Sequence, residues 1–162
     1  MISDSITKPI IHIAIDEKFI DAAYKIYERA FPDKNKFIIL RESQDEINHL
    51  SKEMEYEFID VCDKYLSTIT EKIVYADILV FHGMNRKQAQ IALSVDNKNI
   101  TCIWSVFGYE VYSNPYLFGK KLYGKKTYEQ FIPSLKNEIK NILRPYYYRF
   151  FKCRNDPRKK CL

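Results

Sequence analysis

The chain has 162 residues, which bounds it to one domain by default and is long enough to bury a core. Hydrophobic residues make up 46% and charged residues 29%, which excludes a disordered chain, and four glycines in all argue against a Gly-rich phosphate loop or a sandwich of many tight turns. The net charge of +5 is uneven: residues 118–162 hold thirteen Lys/Arg against three acids, so a basic, aromatic segment follows a mildly acidic body.

The run PIIHIAI (9–15) is apolar and rich in β-branched residues, and predicts a fully buried first strand. His12 inside it reads as a packed core histidine. The helix that follows places Phe19, Ala23, Ile26, Tyr27 and Ala30 at helical spacing, with Asp16 able to cap its start and Pro32 to stop it. KFIIL (36–40) is the next buried strand. This β-α-β pattern implies a right-handed crossover and a parallel sheet. Residues 43–66 are mostly helical in composition, with Ile47, Leu50, Met54, Phe58, Val61, Cys62 and Tyr65 as a stripe that one short irregular piece could interrupt. ADILVFHG (76–83) is a third strand, NRKQAQIALSV (85–95) a short helix capped by Asn85, and NITCIWSVFG (99–108) a fourth strand. The alternation predicts an α/β fold, a Rossmann-like open parallel sheet with helices on both faces. Beyond residue 108 come two glycines, a proline and lysines between aromatics, and then a basic amphipathic helix through Leu135, Ile139, Ile142 and Leu143 that Pro145 breaks or kinks. The expected division is a Rossmann-like domain over 1–115 and a basic loop-and-helix segment over 116–162.

No cysteine pair has CxxC spacing. Cys62 and Cys102 sit in apolar patterns and read as reduced core thiols. No His/Cys/acid cluster has metal spacing, and GxGxxG, GxxxxGK[ST] and GxSxG are absent, so no metal or cofactor is expected. The N-terminus lacks the pattern of a signal peptide and no run has the length of a membrane span, which points to the cytoplasm.

In open α/β sheets, ligands bind beyond the carboxyl ends of the strands. Standing there are Asp16, Glu17 and Lys18 after the first strand, then His82, Gly83, Met84 and Asn85 after the third. Gly108, Tyr109 and Glu110 follow the fourth, behind the single tryptophan, Trp104. Each has a structural alternative. Asp16 serves as a helix cap, His82 satisfies backbone carbonyls at a strand end, and Trp104 packs in the core. Glu110, directly after a glycine turn, is suited to accept a hydrogen bond from a sugar hydroxyl or to act as a base.

Three blocks in order, HIAIDEKFIDAAYKIYERAFPDKNKFIIL, VFHGMN and WSVFGYEVY, resemble the N-terminal half of the TDP-N-acetylfucosamine:lipid II N-acetylfucosaminyltransferase family, also called 4-alpha-L-fucosyltransferases. The likeness covers roughly residues 10–115. Phe107 stands where that family has a second Trp, and Glu110 where it has Asp. The resemblance implies the N-terminal, acceptor-side domain of a GT-B glycosyltransferase, inverting and metal-independent, at the inner face of the cell membrane. It implies transfer of a deoxy-amino sugar such as N-acetylfucosamine to a polyprenyl-diphosphate-linked acceptor in surface polysaccharide synthesis. The nucleotide-sugar donor would be held through a second domain outside these residues. Asp16 or Glu17, in the loop after the first strand, would be the base, with Glu110 a further catalytic candidate. Lys18, His82, Gly83, Asn85, Trp104, Gly108, Tyr109 and Tyr112 would line the acceptor cleft.

The basic positions Lys120, Lys121, Lys125, Lys126, Arg144, Arg149 and Lys152 alternate with Tyr and Phe. Each cation near anionic lipid contributes ~1 kcal/mol and aromatics favour the headgroup region, so these residues are expected to face a membrane surface rather than nucleic acid. The alternative from another class is a non-catalytic, flavodoxin-like module that docks a partner or single-stranded nucleic acid through the same tail.

Overall fold

The computed structural model describes residues 8–42, 46–95 and 99–108. The chain divides into two compact units, Met1–Ser105 and Val106–Leu162. Of the second, the described residues are 106–108. The expected C-terminal basic helix, with Tyr109, Glu110, Tyr112 and the seven basic positions, lies outside the described residues.

The first unit is one five-stranded, all-parallel sheet in the order β3-β2-β1-β4-β5. Its elements are β1 (Ile10–Ala14), α1 (Ile20–Ala30), β2 (Asn35–Arg41), β3 (Tyr56–Asp60), α2 (Tyr65–Ile73), β4 (Ile78–His82), α3 (Arg86–Ser94) and β5 (Thr101–Ser105). The predicted α/β fold, an open Rossmann-like sheet with helices on both faces, is what forms. β1 is central, and all five of its residues are buried because helices cover both sides of it. On one face α1 lays Tyr24 and Tyr27 edge-on against Phe37 and His12. On the other, α2 packs against α3, burying Ile69, Ile73 and Ile91. Each such isoleucine contributes about 1.5–3 kcal/mol of burial.

The order decides between two doubly wound topologies. A flavodoxin-like sheet runs 2-1-3-4-5, whereas this sheet runs 3-2-1-4-5, the order of the first five strands of a dinucleotide-type Rossmann sheet. The chain therefore reverses direction across the sheet between β1 and β4, and a crevice opens at their carboxyl ends.

Several expectations need correction. Residues 46–64 are not helical: irregular chain leads to the strand β3, and the helix α2 starts only at Tyr65. Tyr56–Asp60 pairs in parallel with Phe37–Arg41, and tertiary pairing overrides the local helical composition. The buried side of α1 is Ile20 with half-buried Ala23, Tyr24 and Tyr27; Phe19, Ile26 and Ala30, expected on it, are exposed. Asp16 does not cap α1, whose N-cap is Phe19 with no side-chain bond. Its first turn instead carries Asp21 and its last Arg29, both favourable to the helix dipole. Cys62 and Cys102 are exposed free thiols and not core residues, because both lie on or beside the outermost strands. Among the described residues no helix is long and apolar enough to cross a membrane.

Candidate functional site

A cleft of about 470 Å³ opens beyond the carboxyl ends of β1, β2 and β3. Its floor is apolar, from Ile15, Ile39, Leu40 and Val61. Its polar lining comes from four places: Asp16 after β1, Arg41 and Glu42 at the end of β2, Glu46 to His49 in the loop toward β3, and Asn85 and Lys87 at the start of α3. Asp16, Asn85 and Lys87 border the reversal between β1 and β4, and the rest of the lining lies toward β2 and β3.

Each polar group has a traceable state. The Arg41 guanidinium donates to Asp60 Oδ1 at 2.8 Å and stacks 4.5 Å over the Phe58 ring, so it is held in one orientation at the rim. The Asp16 carboxylate accepts two backbone N–H bonds, from Asn48 at 2.7 Å and from His49 at 3.1 Å. Asp21, in the first turn of α1, accepts from the Ser51 N–H with both oxygens at 3.0 Å. Glu42 and Glu46 are exposed on the cleft wall, and no described residue bonds their carboxylates.

The turn after β4 is built for a tight approach. Gly83 has φ 82°, a conformation that costs a Cβ-bearing residue, and its N–H donates to Ser105 O at 2.9 Å. Asn85 then caps α3, as expected. Its Oδ1 accepts from the N–H groups of Lys87 and Gln88, and Gln88 Oε1 accepts in return from the Asn85 N–H at 2.9 Å. Gln88, fully buried, does more. Its amide donates to Ile13 O at 3.1 Å and to His82 O at 2.9 Å, joining the ends of β1 and β4 where their ladder stops. Gln88 was not a candidate in the sequence reading, although N-x-x-Q before an apolar helix is a capping-box signature that could have found it.

His82 does not line this cleft. It is buried, and its Nε2 lies 2.9 Å from His12 Nδ1. The hydrogen-bond network fixes both tautomers. Asn35 Nδ2 donates to Glu28 Oε1 and Phe31 O, so Asn35 Oδ1 faces His12 Nε2 at 3.1 Å as an acceptor. His12 therefore carries its proton on Nε2, accepts at Nδ1, and His82 donates from Nε2. His82 Nδ1 is left as a bare, buried acceptor with no partner among the described residues. Burial first, then the neighbouring His82, hold His12 down at about 3, against the opposing Asn35 bond. Burial holds His82 down at about 4. Phe37 stacks on His12 with ring centroids 4.1 Å apart, completing an apolar cage around two neutral imidazoles. The core reading of His12 is what the structure displays.

The structure thus brings Asp16 and Asn85 into one cleft. Glu17 is half-buried beside it without lining it, and Lys18 is exposed, its ammonium 5.1 Å from the Phe19 ring centroid. Trp104 sits in β5, register-paired with Phe81 and half-buried, away from this lining. Gly108 is an exposed residue of the second unit. Glu42, Glu46 and His49, which the sequence does not single out, also line the cleft: Glu42 just after β2, and Glu46 and His49 because the segment expected to be helical is irregular there. Among the described residues no group of three or more His, Cys, Asp or Glu is arranged to hold a metal ion.

No family model matches the chain, and no curated protein matches it. A solved structure that does match is described as "Putative MAR1 ribonuclease from Leishmania major", with a TM-score of 0.42 and 11% sequence identity over 60% of this chain. The match spans 63% of that chain's length, and a likeness this slight carries no argument about activity.

Proposed function

We propose that this chain is the acceptor-side domain of a GT-B glycosyltransferase and that a lipid-linked sugar sits in the cleft beyond β1, β2 and β3. The observation that carries the reading is the composition of that cleft. Two carboxylates that no described residue bonds, Glu42 and Glu46, line it together with the donors Arg41, Asn85 and Lys87 over an apolar floor. Carboxylates accept hydrogen bonds from sugar hydroxyls, amides and cations donate to ring and hydroxyl oxygens, and a few such groups on an apolar base fix a ligand's orientation. The family resemblance supplies the reaction. An acceptor hydroxyl attacks the anomeric carbon of a nucleotide-sugar, the bond to the nucleotide diphosphate breaks with its electrons, and a carboxylate takes the hydroxyl proton. The donor belongs to a second domain, and the basic positions from Lys120 to Lys152 suit an anionic membrane surface.

The test is equilibrium binding of a farnesyl-diphosphate-linked N-acetylhexosamine to the 162-residue chain. The expected result is binding that Glu42→Gln with Glu46→Gln weakens roughly tenfold, the effect of about 1.4 kcal/mol of lost hydrogen bonding. Unchanged affinity in the double variant would remove these carboxylates from the site and the reading with them.

A further inference from the structure

Asp16 directly follows Ile15 of the cleft floor, and its bonds mark it for a different task from proton transfer. Both of its oxygens are engaged by consecutive backbone N–H groups, those of Asn48 and His49. The loop receiving them joins β2 to β3, and its residues Glu46 to His49 form one wall of the cleft. The next attachment of that loop is of the same kind, Asp21 on the Ser51 N–H. Two acids on the stretch from the end of β1 into α1 therefore hold one otherwise irregular segment.

We propose that Asp16 is a positioning residue for the cleft: its carboxylate fixes the loop wall that carries Glu46 and His49, and it does not itself take a proton from a substrate. This rests on the acceptor-binding reading above for its substrate, and on the loop geometry alone for the clamp. A carboxylate that accepts two N–H bonds has charge-assisted partners at both oxygens. Asparagine at the same place offers one acceptor and sets an NH₂ group against the second N–H. Loss of either bond frees the wall, and the hydroxyl acceptors on it lose their fixed position.

The experiment has a direct arm and a binding arm, both on the 162-residue chain. In the first, hydrogen exchange at the Asn48 and His49 amides is measured. In Asp16→Asn exchange at both accelerates at least roughly tenfold, because each loses a charge-assisted acceptor, with Asp21→Asn acting on Ser51 instead. In the second arm, Asp16→Asn weakens the farnesyl-diphosphate-linked N-acetylhexosamine roughly tenfold. Exchange at both amides that stays at the wild-type rate overturns the clamp. Faster exchange with unchanged affinity overturns the positioning role. A wild-type chain that does not bind the probe overturns the acceptor reading alone, since the first arm still decides the clamp.

Discussion

His12 and His82 make the most demanding arrangement in the core at the scale of single residues. Two imidazoles share one hydrogen bond, 2.9 Å long, inside a cage of Tyr27 and Phe37; the accepting His12 must be neutral for it to exist, and burial keeps the donor His82 neutral as well. Their ordinary value is 6.5 in the unfolded chain, and burial holds them near 3 and 4 in the fold. As pH falls below about 6.5 the unfolded chain takes up protons that the folded chain refuses, so stability declines, and it continues to decline until the folded values are reached. At pH 5 each histidine removes about 2 kcal/mol relative to pH 7, and above pH 7 the pair contributes no pH dependence. Urea unfolding at pH 7 and pH 5 measures this; a midpoint unmoved between them would mean the pair is not buried as described. Gln88 gives a second test. Gln88→Ala leaves Ile13 O, His82 O and the Asn85 N–H without their partner, and we expect a loss of about 2 kcal/mol or more. Asn85→Ala, which removes the cap alone, should cost about 1 kcal/mol in the same unfolding assay. Asn85 was legible in the sequence as a cap because its partners are two and three residues away. The His12–His82 bond was not, because the two residues are seventy positions apart and only the β1–β4 pairing joins them.

At the scale of elements, the buried strands β1, β2 and β4 were readable from continuous β-branched runs, since a strand covered on both faces has no polar side to show. β3 was not. Tyr56, Phe58 and Asp60 alternate with Glu57 and Ile59 on an edge strand, and only Ile59 is buried, so the period of two is faint. Phe58, Val61, Cys62 and Tyr65 also fall at helical spacing, and that competing period prevailed in the reading. The clamped loop lies in the same span, which is why Glu46 and His49 went unrecognised while Asp16 did not. Helix α1 was found in the right place, with Ala23 and Tyr27 inward as expected but Phe19, Ile26 and Ala30 outward. Its apolar residues span more than half of its circumference, and packing against Phe37 selects Tyr24 over Ile26. Two substitutions separate these faces by thermal or urea unfolding. Ile69→Ala, in the wholly buried side of α2, should cost about 2–5 kcal/mol. Ile26→Ala, at a side chain 66% exposed, should fall within about 0.5 kcal/mol of the wild type. Equal losses would contradict the assigned packing.

At the scale of the whole chain, alternating strands and helices indicated a parallel sheet but not its order. Order depends on which edge each crossover turns toward, and that is settled by packing between segments far apart in sequence. The order 3-2-1-4-5 puts the reversal between β1 and β4 and gathers the ends of three strands, the β2–β3 loop and the start of α3 around one cleft. The measurement that tests this account most directly is the location of a bound acceptor. Backbone amide shifts of the 162-residue chain should be recorded while farnesyl-diphosphate-linked N-acetylhexosamine is added. The account predicts that the largest changes gather at Glu42, Glu46 to His49, Val61 and Asn85 to Lys87. Changes concentrated at the opposite ends of the strands, around Lys36, Tyr56 and Tyr75, or no saturable change at all, would contradict it.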